Sequence, residues 1–452
     1  MSKSYREWSP DRVFMFPPSP QDWLPEDDLV YFLLDTVASL DLSPFFAHYE
    51  RERRGQPPFH PRMMVTLLLY CYATGTRSSR KIMRRCQVDV ACRIIVGDDI
   101  PGFRSISDFR KTHLARLEAL FLDVLKLCAL AGLAKVGTIA LDGTKVKANA
   151  SRHKAMSYDR MHAEEKRLQE EIAKLLAEAE SADATEDAAH GPDRRGDELP
   201  EELKRRQTRL AKIQEARTLL EERTRAKAAE DAARREAEEN QPPALAPGDA
   251  VPAPKDQINF TDPESRVMKT ANKGWDQCGN AQAVANESQI ILAADVTDQA
   301  NDKRQVVPMV DQARSNLDAA GVSQAIGAAV LDSGYYSEAN AKALESRVRD
   351  GYIATERLKH HEEIPEAPRG RIPAHLSVKQ RMARKLRTKK GRAAYAKRKG
   401  IIEPIFGQLK QVLGFRQFSL RGLESMRGEW RLICTVHNLL KLWRAGQAAT
   451  AV

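Results

Sequence analysis

The chain has 452 residues, 42% of them hydrophobic, with 72 Lys and Arg against 62 Asp and Glu for a formal charge of +10. That length accommodates two or three domains with a full apolar core, and the composition places the chain in the soluble globular class. The basic balance favours a polyanionic partner. Six scattered cysteines with no C-x-x-C pair argue against a disulfide frame or a zinc site and read as reduced core residues of an intracellular protein. The start, MSKSYREWSPDRVFMF, carries charges and prolines where a signal peptide needs a continuous apolar stretch, and no apolar run approaches a membrane span. A cytoplasmic chain is expected.

Residues 27 to 133 read as helices. DDLVYFLLDTVASL, PRMMVTLLLYCYATG, SSRKIMRRCQVDVACRIIVG and SISDFRKTHLARLEALFLDVLKLCALAG repeat apolar residues at helical spacing, with Ser105 or Ser107 as the cap of the last. Arg80, Lys81, Arg84 and Arg85 share one segment. Short helices with such a segment suit a helix-turn-helix-like DNA reader, and equally a packing domain with a solvated basic face.

From Lys135 the texture changes. VGTIALDGTKVKANA, GNAQAVANESQIILAADVT, AIGAAVLDSGY and DGYIAT are β-type runs, while VVPMVDQARSNLDAAG and SEANAKALESRVRDG between them have helical period. The order strand, hairpin, helix, strand, helix, strand predicts a mixed sheet with helical cover, as an RNase-H-like fold requires.

A long insertion interrupts this order. Met161, Leu168, Ile172 and Leu175 form one heptad seam and Leu203, Leu210, Ile213 and Leu220 another, so an antiparallel helical hairpin is expected across the polar stretch SADATEDAAHGPDRRGDELPE. NQPPALAPGDAVPAPKD, which follows, reads as a poorly ordered Pro/Ala linker. Further on, thirteen Lys and Arg and no acidic residue lie between Arg369 and Lys399, in a loop giving way to a basic helix. Such a one-signed block suits contact with a phosphate backbone. IIEPIFGQLKQVLGF and LESMRGEWRLICTVHNLLKLW close the chain as helices.

Three carboxylates stand out: Asp142 in TIALDGTKVKANAS, Asp332 in AAVLDSGYYS and Glu403 in RKGIIEPIFGQLK. Taken singly each has a plain structural reading. Asp142-Gly143 is a hairpin-turn signal, Asp332 before Ser333-Gly334 suits a turn or cap, and Glu403 before Pro404 suits a helix start. Together, without nearby His or Cys, they form an oxygen-only set suited to a hard divalent cation. His153, His360 and His361 lack the partners of a tetrahedral site. Asp295, Asp298 and Asp302 read as turn and cap residues, with Asp302 a candidate support for the carboxylates, and Trp275 reads as a packing residue.

The segments IALDGTKVKANAS, DPESRVMKT, GNAQAVAN, DVTDQANDKRQ, VLDSGYYS and YAKRKGIIEPIFGQLKQVLGFRQFSLRGLES, taken together, resemble the DDE transposases of bacterial insertion sequences. The resemblance runs from PPFHPRMMVTLLLYCYATGTRSSRKIMRR to LICTVHNLL. It implies an α/β fold: an RNase-H-like mixed sheet with flanking helices over 134–151 and 256–452, an all-α domain over 1–133 that binds element ends, and a helical-hairpin insertion with its linker over 152–255. Asp142, Asp332 and Glu403 match the family's catalytic, metal-holding triad. Lys410 matches the lysine of the family's Y-x2-R-x3-E-x6-K signature. Tyr395 and Arg398 depart from it, with four residues between Arg398 and Glu403 and Lys399 in the expected Arg place, and Gly279 stands where relatives often carry an aromatic residue.

The implied activity is cleavage of DNA at the element ends followed by strand transfer into target DNA, using two Mg²⁺ ions for which Mn²⁺ substitutes. Arg398, Lys399, Lys410, Arg416 and Arg421, with Arg80, Lys81 and Arg84 of the helical domain, are the expected DNA contacts. The implied partners are double-stranded DNA, at element ends and target, and further copies of the chain in a homodimer or larger synaptic assembly associated with the nucleoid. The alternative is a domesticated or decayed copy that binds DNA in a sequence-specific way without cutting it. An RNase-H-like nuclease acting on RNA–DNA hybrids is a third reading.

Overall fold

The computed structural model describes residues 19–50, 56–190, 201–237, 247–270, 274–356, 367–373 and 375–450. Among the described residues the leading α-helices are α1 (Leu29–Ser39), α2 (Ser43–Tyr49), α3 (Pro61–Ala73), α4 (Ser79–Val88), α5 (Val90–Val96), α6 (Phe103–Thr112) and α7 (Leu114–Leu130). Pro61 opens α3, where a missing N–H costs nothing, and Met64 to Tyr72 are buried all round it, so α3 forms the centre of the group.

Two expected long helices are each split. Asp89 leaves the helical region (φ −106°, ψ 125°), its Oδ1 accepts the Cys92 N–H at 2.9 Å to start α5, and its Oδ2 takes Arg85 at 2.7 Å. His113 divides α6 from α7, held among Phe45, Tyr49 and Phe109. The expected caps Ser105 and Ser107 lie inside α6, which begins after Gly102 with no side-chain cap.

The sheet is built around β1 (Thr138–Lys147). The chain then passes through β2 (Ala155–Ser157), α8 (Tyr158–His190), α9 (Glu201–Ala237) and β3 (Gln257–Asn259), the last pairing with β2 as a separate two-stranded ribbon. β4 (Arg266–Lys269), β5 (Trp275–Asn286), β6 (Ile291–Thr297), α10 (Val306–Ala319), β7 (Ala328–Leu331), α11 (Glu338–Glu345) and β8 (Asp350–Ile353) follow. β1 lies antiparallel to β5 on one side and parallel to β7 on the other, β8 runs parallel beyond β7, and β4 and β6 pair along the far side of β5. The expected order of strand, hairpin, helix, strand, helix, strand is therefore present in a mixed α/β architecture.

The chain ends with α12 (Val378–Arg387), α13 (Lys389–Gly407), a π-helical turn over Gln408–Val412, and α14 (Leu423–Thr450). α14 covers the exposed edge of β6. Asn438 behaves as a peptide group, accepting the Ile291 N–H at 2.8 Å and donating to the Ile291 carbonyl at 2.9 Å. Arg431 and Arg427 donate to the carbonyls of Ala294 (2.9 Å) and Val296 (3.1 Å) farther along. Backbone groups that would otherwise be open to pairing with another chain are thus satisfied.

Pro404, expected to mark a helix start, lies inside α13. A proline there cannot donate to the carbonyl one turn back, and that carbonyl, of Gly400, accepts the Gln289 amide at 2.8 Å instead. Gln289, in the β5–β6 turn with φ 59°, also accepts through its backbone carbonyl from His437 at 2.9 Å. One turn residue thereby joins α13 to α14.

A continuous apolar core runs from the leading helices into the sheet, including Leu33, Leu68, Ile139, Val284 and Trp430. The insertion has a separate small core of Met161, Leu168, Ile213, Ala216, Leu220 and Ile258. Its helices are antiparallel, since Glu171 meets Arg206 at 2.8 Å, Glu165 meets Arg217 at 2.6 Å and the Tyr158 hydroxyl meets Glu221 at 2.9 Å. Ile172 and Leu175, expected in the seam, are only partly buried. The loop 191–200 and the first part of the Pro/Ala linker, 240–246, lie outside the described residues. The rest of that linker departs from the expectation of poor order: Pro247–Asp249 form a 3-10 turn and the Asp256 carbonyl accepts the Tyr158 N–H at 2.9 Å.

All six cysteines are buried and free. Among the described residues no single helix is long and apolar enough to cross a membrane.

Candidate active site

Strand register brings two of the three carboxylates together. The parallel ladder of β1 and β7 pairs Thr138 with Ala328 and ends at Leu141 with Leu331, so the next residues, Asp142 within β1 and Asp332 just past β7, come side by side. Asp142 is not a hairpin turn. It and Gly143 continue β1, opposite Ala283 and Gln282 of β5. Glycine is needed for space: a Cβ at Gly143 would lie 2.3 Å from the Gln282 amide nitrogen and 3.1 Å from Asp302. Asp332 does serve as a cap, accepting the Gly334 N–H at 2.9 Å through Oδ1.

Burial and the neighbouring charge of Asp332 push the Asp142 carboxyl up to about 6, against the opposing pull of Arg398. Arg398 of α13 donates to Asp142 Oδ2 at 2.9 Å, and its other terminal nitrogen is 3.9 Å from Glu403. Burial works against the Arg398 charge, but Asp142, Tyr395 and Asp332 outweigh it and raise the pKa. The unusual spacing of Arg398 and Glu403 therefore still places Arg398 at the carboxylates, while Lys399 is exposed.

Glu403 is reached through Arg398 and is 56% exposed. Among the described residues no three His, Cys, Asp or Glu side chains come close enough to hold an ion. The three carboxylates thus share one end of the sheet as an acidic pair with an arginine link to the third. Their chemistry fits a hard cation: oxygen donors only, two of them in mutual repulsion that a second positive charge would relieve.

A polar network behind the pair was under-read from sequence. Asp302 Oδ1 accepts from Asn280 at 2.6 Å, Gln282 at 2.9 Å and Lys145 at 3.2 Å, and Gln282 in turn accepts from the Tyr335 hydroxyl. Burial, with the charges of Asp302, Asp142 and Asp332, holds the Tyr335 hydroxyl well above its ordinary value, so it remains a donor. Asp302 stands at the N-cap of the 3-10 turn Lys303–Gln305 but makes no side-chain cap: its side chain turns inward to this network. The signal was Asn280 and Gln282, two polar residues with period two in the apolar strand β5, both fully buried. Asp295 instead pairs with Arg427 at 3.1 Å and Asp298 with Arg266 at 2.7 Å.

The expected DNA contacts lie on several elements. Lys410, on the π-helical turn, lies against β1, donating to Thr144 and, at 3.1 Å, to the Lys145 carbonyl, and burial lowers its pKa. Arg416 and Arg421 are exposed and donate to the carbonyls of Lys410 and Asn149, each at 3.1 Å. Arg80, Lys81 and Arg84 are exposed on α4. Part of the basic block is already matched internally, Lys385 (3.3 Å) and Lys390 (2.7 Å) by Asp350. Trp275 is 55% exposed at the start of β5, contrary to a packing role. His153 is exposed, and His360 and His361 lie outside the described residues.

Residues 18–112 match the family described as Transposase domain (DUF772), and residues 248–439 match the family described as Transposase DDE domain. The second match contains Asp332 and Glu403 and begins after Asp142. No curated protein and no solved structure matches the chain. The two matches together span more than half of the sequence, one over the leading helices and one over the sheet that carries the carboxylates: the chain belongs to the DDE transposases of insertion sequences.

Proposed function

We propose that this transposase cuts DNA at the ends of its element and joins the freed ends to target DNA, with Asp142, Asp332 and Glu403 as the catalytic carboxylates of an RNase-H-like domain. The observation that carries this reading is the β1–β7 register, which sets Asp142 beside Asp332, with Arg398 reaching from Asp142 towards Glu403. These three side chains would hold Mg²⁺, two ions in the full site, with Mn²⁺ as substitute. When bound, such ions supply the positive charge that stabilises the attacking and leaving oxygens of a phosphodiester displacement.

The chain's own residues do the rest. Asp302, with Lys145, Asn280 and Gln282, keeps the floor of the site rigid, and Gly143 lets β1 approach it. Arg398 balances the carboxylates before DNA and cations arrive. Lys410, Arg416 and Arg421 place positive charge beyond β1 for phosphates, as do Lys399 on α13 and Arg80, Lys81 and Arg84 on the leading helices. Residues 1–133 act as the end-binding domain, 134–151 with 256–452 as the catalytic domain, and 152–255 as an insertion between them. Double-stranded DNA and a second copy of the chain are the partners.

The test is nicking of a duplex carrying the element's terminal repeat in the presence of Mg²⁺. Asp142→Asn, Asp332→Asn and Glu403→Gln should each lower cleavage ~10³-fold or more with DNA affinity kept. Mg²⁺ should raise the melting temperature of the parent protein more than that of the variants. End binding without any cation-dependent nicking would identify a non-catalytic DNA-binding protein instead.

A further inference from the structure

Asp302 and Asp332 each stand where a short 3-10 turn begins, Lys303–Gln305 after the first and Ser333–Tyr335 after the second. The ladders that hold β7 end at Leu331, one residue short of Asp332. Strand pairing therefore sets where Asp332 leaves the sheet, but not how far its turn stands from that of Asp302.

One side chain spans the gap. Asn340, in the first turn of α11, is buried, and its Nδ2 donates to the Lys303 carbonyl at 2.7 Å and to the Tyr335 carbonyl at 2.8 Å. A primary amide has two N–H groups, so it serves one carbonyl in each turn at once. The third residue of a capped helix commonly turns its side chain back to the cap residue's own N–H. Here the Ser337 hydroxyl accepts the Asn340 N–H at 3.0 Å, while the Asn340 side chain goes to the two turns.

Given the reading of Asp332 as a cation-holding carboxylate, on which this rests, we propose that Asn340 is a positioning residue for the cation site. By tying the two turns together, it fixes the Asp332 carboxylate relative to Asp302 and Asp142.

The bonds around it close on themselves. Tyr335, whose carbonyl Asn340 holds, gives its hydroxyl to Gln282, and the Gln282 amide donates to Asp302 Oδ1 at 2.9 Å. From Asp302 the chain leads through Lys303 back to Asn340. The two carboxylates lie on either side of the space over Gly334: Asp332 Oδ1 and Asp302 Oδ2 are 3.1 and 3.8 Å from the point a Cβ there would occupy. They repel when both are charged, and the tie between their turns opposes that repulsion. Lys145, 3.2 Å from Asp302 Oδ1, offsets part of it. A hard cation takes its oxygens at set distances, about 2.1 Å for Mg²⁺, and a carboxylate free to move must lose that freedom on binding. Removing the amide leaves two carbonyls without their donor and frees the turns to part.

The test measures Mn²⁺ binding to the whole chain without DNA, by the electron paramagnetic resonance of the free ion, beside Mg²⁺-dependent nicking of the terminal-repeat duplex. Asn340→Asp keeps the shape and loses both donors. It should weaken Mn²⁺ binding about 10- to 100-fold, although its added negative charge alone would strengthen it. The Mg²⁺ concentration for half-maximal nicking should rise in step, with cutting recovered at high Mg²⁺, as a merely unfolded variant would not show. Asn340→Ser, too short to span both carbonyls, should show the same loss if the aspartate variant does not fold. Ser337→Ala removes the cap of α11 and leaves the amide, so it should lower the melting temperature and keep the parental Mn²⁺ affinity. Parental affinity in the Asn340 variants, or an equal loss in Ser337→Ala, would overturn the proposal. Asp332→Asn separates that failure from failure of the underlying reading: if it still cuts and binds Mn²⁺ like the parent, Asp332 is not at the cation site and both fall.

Discussion

Asp142, proposed above as a catalytic carboxylate, sets its charge against the stability of its own fold. Its carboxyl sits at about 6 because burial and Asp332 disfavour the charge. A raised acid contributes stability below its ordinary value near 3.8 and loses it as pH rises through 6. At neutral pH the charged form is therefore a net cost, and Asp142→Asn should raise the melting temperature by a few degrees without divalent cations while abolishing cleavage. Calorimetry at pH 7 and pH 4 checks the sign, since the gain should vanish at the lower pH. His437 works in the opposite direction. Burial lowers it to about 4, so its neutral form supports the fold above about 6.5 and that support is lost as pH falls towards 4. His113, also lowered to about 4 by burial and Arg116, adds to the same window. The melting temperature should hold above pH 6.5 and fall below it, with a flatter curve for His437→Gln.

At the scale of elements, hydrophobic period identified segments better than their ends. The run 78–97 has helical period throughout, yet Asp89 ends one helix and caps the next because its carboxylate is satisfied on both sides, by Arg85 and by the Cys92 N–H. Pro404 reads as a boundary in sequence but sits inside α13, where the Gln289 amide takes the carbonyl it leaves free. At the Ile291 end of β6, helix α14 is held by one side-chain amide, that of Asn438. Asn438→Ala should lower stability by ~1–3 kcal/mol, because both Ile291 backbone groups would be buried without partners. Chemical denaturation measures this, and Asn438→Asp should recover less than half, since a carboxylate cannot donate to the Ile291 carbonyl.

Across the whole molecule, the leading helices and the sheet share one core, while the insertion packs on its own. Replacing residues 172–206 with a short Gly/Ser turn should leave the main unfolding transition in place, because Leu168, Ile213 and Leu220 remain to close the base of the hairpin. A large fall in the melting temperature of the main transition would show that the hairpin tip supports the body. Where α9 meets the loop before α10, Arg304 pairs with Glu230 and Asp231. That base should be left intact in the trimmed protein.

Most of the helices and strands and the antiparallel hairpin are legible along the chain, because side-chain period is carried by short contiguous segments. That Asp142 lies in a strand and not a turn, that Arg398 and not Lys399 meets it, and that Asp302 turns inward to Asn280 and Gln282 emerges only in the assembled sheet. Each of those outcomes depends on which strand lies next to β1 and in what register. That choice is set by packing among residues far apart along the chain, which no local pattern records.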